Sequence, residues 1–158
     1  MQTQTVILGG IILMLLIYFV IGIISYAFVS IGLFEIARRE KIKHGYLAWI
    51  PYLNKYVLGR IAFKNKIHSV ILTVLSIGVF LSSSIMIFIK SNSTYTFALI
   101  SFILSIILSV YSYFAHYKVF KKYSKSTILM TVLDVISCGI LGPFFIFAIR
   151  DNDLKEEQ

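Results

Sequence analysis

Long apolar runs alternate with short basic ones along this chain. Val6–Phe34 is 29 residues without a charge, Ser69–Ile89 and Tyr95–Ala115 are 21 residues each, and Thr127–Ile149 is 23 residues with Asp134 as its only ionisable group besides Cys138. A helix rises 1.5 Å per residue, so roughly 20 apolar residues cross about 30 Å of hydrocarbon. The pattern predicts an all-α fold: a four-span transmembrane helical bundle in a single membrane domain over 1–158. The first run exceeds the hydrocarbon thickness, so it tilts or emerges on one side. Its small residues Gly22, Ser25 and Gly32 let a neighbouring helix approach.

Between the first two runs lies a stretch of a different kind. Residues 46–63 hold Pro51, Asn54, Lys55, Gly59 and Arg60 among apolar and aromatic neighbours. Two charges near the middle make spanning costly, roughly 2.5–3.5 kcal/mol each. Ile50, Leu53, Val57 and Ile61 fall on one side of a helical wheel, with Lys55 and Gly59 opposite and Arg60 near the stripe's edge. Trp49 and Tyr46, Tyr52 and Tyr56 suit a membrane–water interface. The expectation is an interfacial amphipathic helix between spans one and two, or a shallow re-entrant one, with Pro51 near its first turn. Trp49, Pro51, Asn54 and Arg60 form its candidate platform. In it Trp49 anchors, Pro51 sets the angle of the incoming chain, and Asn54 bonds a span end.

Charge fixes an orientation for this scheme. Of the 15 basic residues, 12 fall in the two linkers 35–68 and 116–126, against a formal net charge of +8 for the chain. With four spans these linkers share one side. The positive-inside rule then places them in the cytoplasm and both termini outside. Arg38, Arg39, Lys41, Lys43, Lys121 and Lys122 are the candidate contacts for anionic headgroups. Charged residues make up only 14% of the chain. No nucleic-acid module accompanies the basic bias, so nucleic acid is not an expected partner.

The candidate chemistry is sparse. Asp134 is the only acid inside an apolar run, and an ionisable residue at membrane depth is by default a functional hypothesis. It is shallow enough for water, or for Lys118, Lys121 or Lys122, to reach it, and its alternative is a structural acid bonded to nearby serines or tyrosines, or protonated outright. Ser101, Ser105, Ser109 and Ser112 form a stripe at helical spacing, read as packing or as a polar lining. His44, His68 and His116 lie near the expected boundaries, without metal-ligand spacing. The single cysteine, Cys138, allows no disulfide within the chain. No nucleophile elbow or phosphate loop is present. Gly139, Gly142 and Pro143 bend or loosen the fourth run. No cofactor, metal or catalytic set is expected.

The blocks Ile36-Ala37-Arg38-Arg39, His44-Gly45-Tyr46-Leu47-Ala48-Trp49-Ile50-Pro51, Asn54 and Leu58-Gly59 follow a pattern like IARRxGxxxxWLAWIPxxNxxxLG. This resembles a group of small uncharacterised multi-pass integral membrane proteins of Firmicutes. The later YKVFKKYSKSTILMTVL and PFFIFAIRDND are similar to their last linker and span. The resemblance implies a Gram-positive cytoplasmic-membrane protein and carries no activity with it. The expected function is a non-enzymatic membrane interaction protein, an accessory subunit or a bacteriocin-immunity-type protein with a membrane protein or peptide partner. The alternative is a small oligomeric transporter or channel subunit using Asp134. A lipid-headgroup enzyme ranks below both, since it lacks a nucleophile or an acid–base pair.

Overall fold

A computed structural model of the chain describes residues 2–88 and 93–153. The end of the second expected span at Ile89, and Lys90 to Asn92 of the polar link after it, lie outside the described residues. So do the last five residues, Lys155 among them.

The described chain is all-helical. Helix α1 runs Gln2–Arg39, a short 3-10 helix spans Gly45–Trp49, and α2 covers Asn54–Phe63. Helices α3 (Lys66–Phe88) and α4 (Ser93–Tyr123) are long, and α5 (Thr127–Ile136) and α6 (Gly142–Ala148) are short. Three helices, α1, α3 and α4, are long and apolar enough to cross a membrane.

The expected fourth span is divided. The chain leaves α5 at Ser137, passes Cys138 and Gly139 with positive φ (53° and 85°), and begins α6 at Gly142 with Pro143 in its first turn. Cys138 and Gly139 lie where a right-handed helix cannot continue. The result is a reversal rather than a bend. Thr127 Oγ1 donates to Phe120 O at 3.3 Å, and Asp134 meets His116, so α5 runs back along α4. Then α6 returns. Gly142 lies beside Asp134 and His116, Phe145 packs edge-on against Phe120, and Asn152 Nδ2 donates to Tyr123 O at 2.9 Å. Both ends of this hairpin therefore lie at the C-terminal end of α4. At 10 and 7 residues, its helices are about 15 and 10 Å long, too short to cross.

Residues 42–63 form a second hairpin. Helix α1 closes in a Schellman motif, in which Ile42 N–H donates to Ala37 O and Lys41 N–H to Arg38 O, with Lys41 left-handed at φ 53°. The chain then climbs back along α1: Gly45 lies against Ala37, and Tyr26 Oη donates to Trp49 O at 2.6 Å. Ile50 precedes Pro51 and is extended (φ −99°, ψ 124°), which stops the 3-10 helix. Tyr52 turns the tip with φ 67°, stacks near Phe80 and offers its carbonyl to Ser76 Oγ. From there α2 descends along α3 until Gly59 meets Ser69, and the carbonyl of Ile61 accepts from Lys122 Nζ at 2.8 Å.

This placement changes the reading of α2. Val57, Leu58, Gly59, Ile61 and Ala62 are all buried, so the side holding Gly59 is packed rather than solvated. The helix sits among α1, α3 and α4, not on the surface of the bundle. Core residues Leu33, Ile36, Val57, Ile61, Val119, Phe120, Ile146 and Ile149 knit both hairpins to α1 and α4.

All this packing lies toward one end of the molecule. That basic end gathers Arg39, Lys64, Lys122 and Arg150. Among the described residues the other end of α1 stands alone: every position from 9 to 24 is exposed, and the packing partners of α1 are α6, the 3-10 helix and α2.

Candidate functional site

Where the two hairpins meet α4, three ionisable side chains come together inside the apolar bundle. Asp134, in the last turns of α5, is 1% exposed. Its Oδ2 lies 2.7 Å from Nδ1 of His116, itself buried on α4. Lys55, in the first turn of α2, donates from Nζ to Ser112 Oγ at 3.4 Å and lies within the field of the Asp134 carboxylate. His116 feels both charges. His116 is seven residues from the end of α4 and Ser112 eleven, so the cluster lies about 10–16 Å in from the basic end.

Gly142 makes room for it. A Cβ there would come within 2.6 Å of Asp134 Oδ1 and 3.0 Å of His116 Cε1. That same Oδ1 is buried without a hydrogen-bond partner. An unpaired carboxylate oxygen is costly to bury; only the other oxygen, Oδ2, is held, by His116. The arrangement can hold a proton between acid and imidazole, or lock two hairpins by charge.

The acid's partner is His116, not a lysine of the second linker. Lys122 is occupied at the basic end, where Nζ is 2.7 Å from Glu40 Oε1; that oxygen also accepts from Tyr123 Oη. Glu40 thus ties the end of α1 to the end of α4. Arg39 ties it to the C-terminal segment, donating to the carbonyls of Arg150 and Asn152 at 2.9 Å each and to Asp153 Oδ1 at 2.7 Å. Arg38 pairs with Glu35 at 2.8 Å. Of the six candidate headgroup contacts, Arg39 and Lys122 are engaged within the chain, and Lys41, Lys43 and Lys121 are exposed.

The four platform residues separate. Trp49, half exposed, and Pro51 sit at the hairpin tip, at the level of Tyr26 on α1 and Ser76 on α3. Asn54 starts α2, and its side chain bonds no span end among the described residues. Arg60 lies near the far end of α2, where Nη1 donates to Lys64 O at 3.1 Å. In the serine stripe, Ser101 bonds Ser83 at 2.9 Å, Ser105 bonds the carbonyl of Phe102, and Ser112 accepts from Lys55. Ser109 is exposed. No group of three or more His, Cys, Asp or Glu is placed to hold a metal among the described residues.

Lys55, His116 and Glu40 were not singled out as site residues by sequence. One signal for the pair with Asp134 is present: positions 116 and 134 are equidistant from Lys125, as a fold-back centred on the Ser124–Ser126 turn requires.

Fold and site together define a protein that is all-helical among the described residues, with three membrane-length apolar helices, a buried Asp134–His116 pair and a half-buried Lys55 between two hairpins. No family model, curated protein or solved structure matches the chain.

Proposed function

We propose that the chain is a non-enzymatic interaction protein of a Gram-positive cytoplasmic membrane, an accessory subunit or a bacteriocin-immunity-type protein. In this reading it captures a membrane protein or peptide through the free half of α1. Three helices cross: α1, α3 and α4. The segments 42–63 and 127–149 are re-entrant from the basic side, in place of an interfacial helix and a fourth span. That side is cytoplasmic, so the N-terminus is outside and the C-terminus inside.

One observation carries the partner reading. Gly9, Gly10 and Gly22 lie in the exposed half of α1, and a Cβ at each would meet nothing within 4 Å. Glycine inside a helix costs about 1 kcal/mol relative to alanine, and here no contact among the described residues uses the space it leaves. Small residues on a membrane helix let a second helix approach closely. Gly10→Leu and Gly22→Leu variants are expected to lose, by at least tenfold, whatever copurifies with the wild type from native membranes. Cysteines at the same positions should crosslink to it. Full copurification by both leucine variants, without crosslinks, would sink the proposal.

The buried cluster favours a second reading, a small oligomeric transporter or channel subunit. Asp134 with a free oxygen beside His116 and a helix break is a group that protons or ions could use. Asp134→Asn protein that is still folded in vesicles should lose flux. Unchanged flux removes Asp134 from any pathway.

A further inference from the structure

A cavity of about 520 Å³ opens at the basic end, between the close of α1, the close of α2 and the start of α3. Five cationic side chains line it: Lys41, Lys43, Arg60, Lys64 and Lys66. Its one carboxylate, Glu40, is turned to other work, since Oε1 is held by Lys122 and Tyr123. None of the five cations pairs with a carboxylate among the described residues. Five like charges around one cavity repel one another and focus a positive potential into it.

The backbone adds a separate argument. Lys41 and Lys64 occupy the left-handed positions that end α1 and α2, at φ 53° and 55°. Glycine is the residue that fits such a position without strain. A lysine near a helix C-terminus also complements the dipole, but a lysine one residue earlier, followed by glycine, would do so unstrained. The chain carries lysine at both strained positions, and both line the same cavity. His44, also on the wall, is left-handed too, at φ 68°.

We propose that this cavity is a phosphate-binding site, for a phosphate group carried by a lipid headgroup or by a soluble phosphorylated molecule. Arg60 supplies the planar fork suited to two phosphate oxygens, and its bond to Lys64 O holds it at the cavity wall. Lys41, Lys43, Lys64 and Lys66 supply point charges around it. Tyr56 offers a hydroxyl and an aromatic wall. The site is distinct from the free half of α1 and stands whether or not that surface binds a partner.

The test uses the full chain in neutral detergent, with inorganic phosphate and micelles containing phosphatidic acid as probes and phosphatidylcholine as the reference lipid. Saturable binding to phosphatidic acid over phosphatidylcholine is expected. Binding of phosphatidic acid alone assigns the headgroup as source, and binding of inorganic phosphate as well assigns a soluble phosphorylated molecule; both support the site. The Lys41→Gly/Lys64→Gly variant removes two cavity charges while giving each left-handed position its preferred residue. It should unfold at the same or a higher temperature and bind at least tenfold more weakly. Lys118→Gln/Lys125→Gln removes the same charge elsewhere on the basic end and should bind as the wild type does. Equal weakening in both variants would mean diffuse surface attraction and would overturn the site, as would no binding of either probe.

Discussion

Three glycines mark where the backbone itself is in contact. A Cβ at Gly59 would fall 2.6 Å from Ser69 Cα, one at Gly32 would fall 2.9 Å from Ile146, and one at Gly142 would strike Asp134. Ser69 Cα is backbone and cannot swing aside, so Gly59→Ala must push α2 off α3. Such overpacking costs typically 1–3 kcal/mol, against about 1 kcal/mol gained in helix propensity. Gly59→Ala should therefore lower the unfolding temperature in detergent, whereas Gly22→Ala, which meets nothing, should leave it unchanged or raise it. Equal effects at the two sites would show that α2 and α3 are not in backbone contact. Sequence flagged Gly22, Ser25 and Gly32 together as small packing residues. Only contacts separate them: Gly32 receives Ile146, while Gly22 faces open space. Composition alone cannot tell a glycine used within the chain from one left for a partner.

Elements follow the same division between what pattern reveals and what it hides. Helices α1, α3 and α4 were legible because a membrane-length apolar run permits few other structures. The 127–149 hairpin was not, because apolar residues mark burial in lipid or protein equally and carry no record of direction. Gly139, Gly142 and Pro143 signalled a break, and only the positive φ of Cys138 and Gly139 makes it a reversal. Likewise the 3.6-residue period found the apolar stripe of α2, but it assigned Lys55 to a wet face. Lys55 instead turns toward Ser112 and Asp134, because α2 descends between α3 and α4. The two hairpins thus converge on α4, Lys55 through Ser112 and Asp134 through its buried pair with His116. Removing one partner of a buried pair costs about 3–5 kcal/mol, while replacing both is often near neutral. Asp134→Asn keeps the side-chain volume and should destabilise the protein strongly. Adding His116→Leu should restore much of the loss, with a coupling of about 1–3 kcal/mol by thermal unfolding. Strictly additive effects would show that His116 and Asp134 do not interact.

At the scale of the whole molecule, whether residues 127–149 cross or turn back sets the side on which the chain ends. A continuous span over 127–149 would carry Arg150 away from Arg39. In the fold, Arg39 holds the carbonyls of Arg150 and Asn152, and Asn152 holds Tyr123, so the ends of α1, α4 and α6 share a face. The charge count sharpens accordingly. With four spans, Lys90, Arg150 and Lys155 oppose the other 12 basic residues. With three spans and two re-entrant hairpins, Lys90 alone does, and 14 of the 15 lie on one side. The positive-inside rule favours the second arrangement. Both arrangements obey the same rule and differ only in whether the fourth run crosses, which sets the side of the C-terminus. A reporter active only in the cytoplasm, fused after Gln158, should be active, and one fused between Asn92 and Ser93 should not. A cysteine introduced at Ile140, near the tip of the second hairpin, should resist a membrane-impermeant thiol reagent from outside in a Cys138→Ser background. An extracellular C-terminus would restore four crossings. It would also require the contacts of Arg39 with Arg150 and Asn152 to be broken in the membrane, an outcome the Arg39→Gln variant would then share by leaving the stability of the protein untouched.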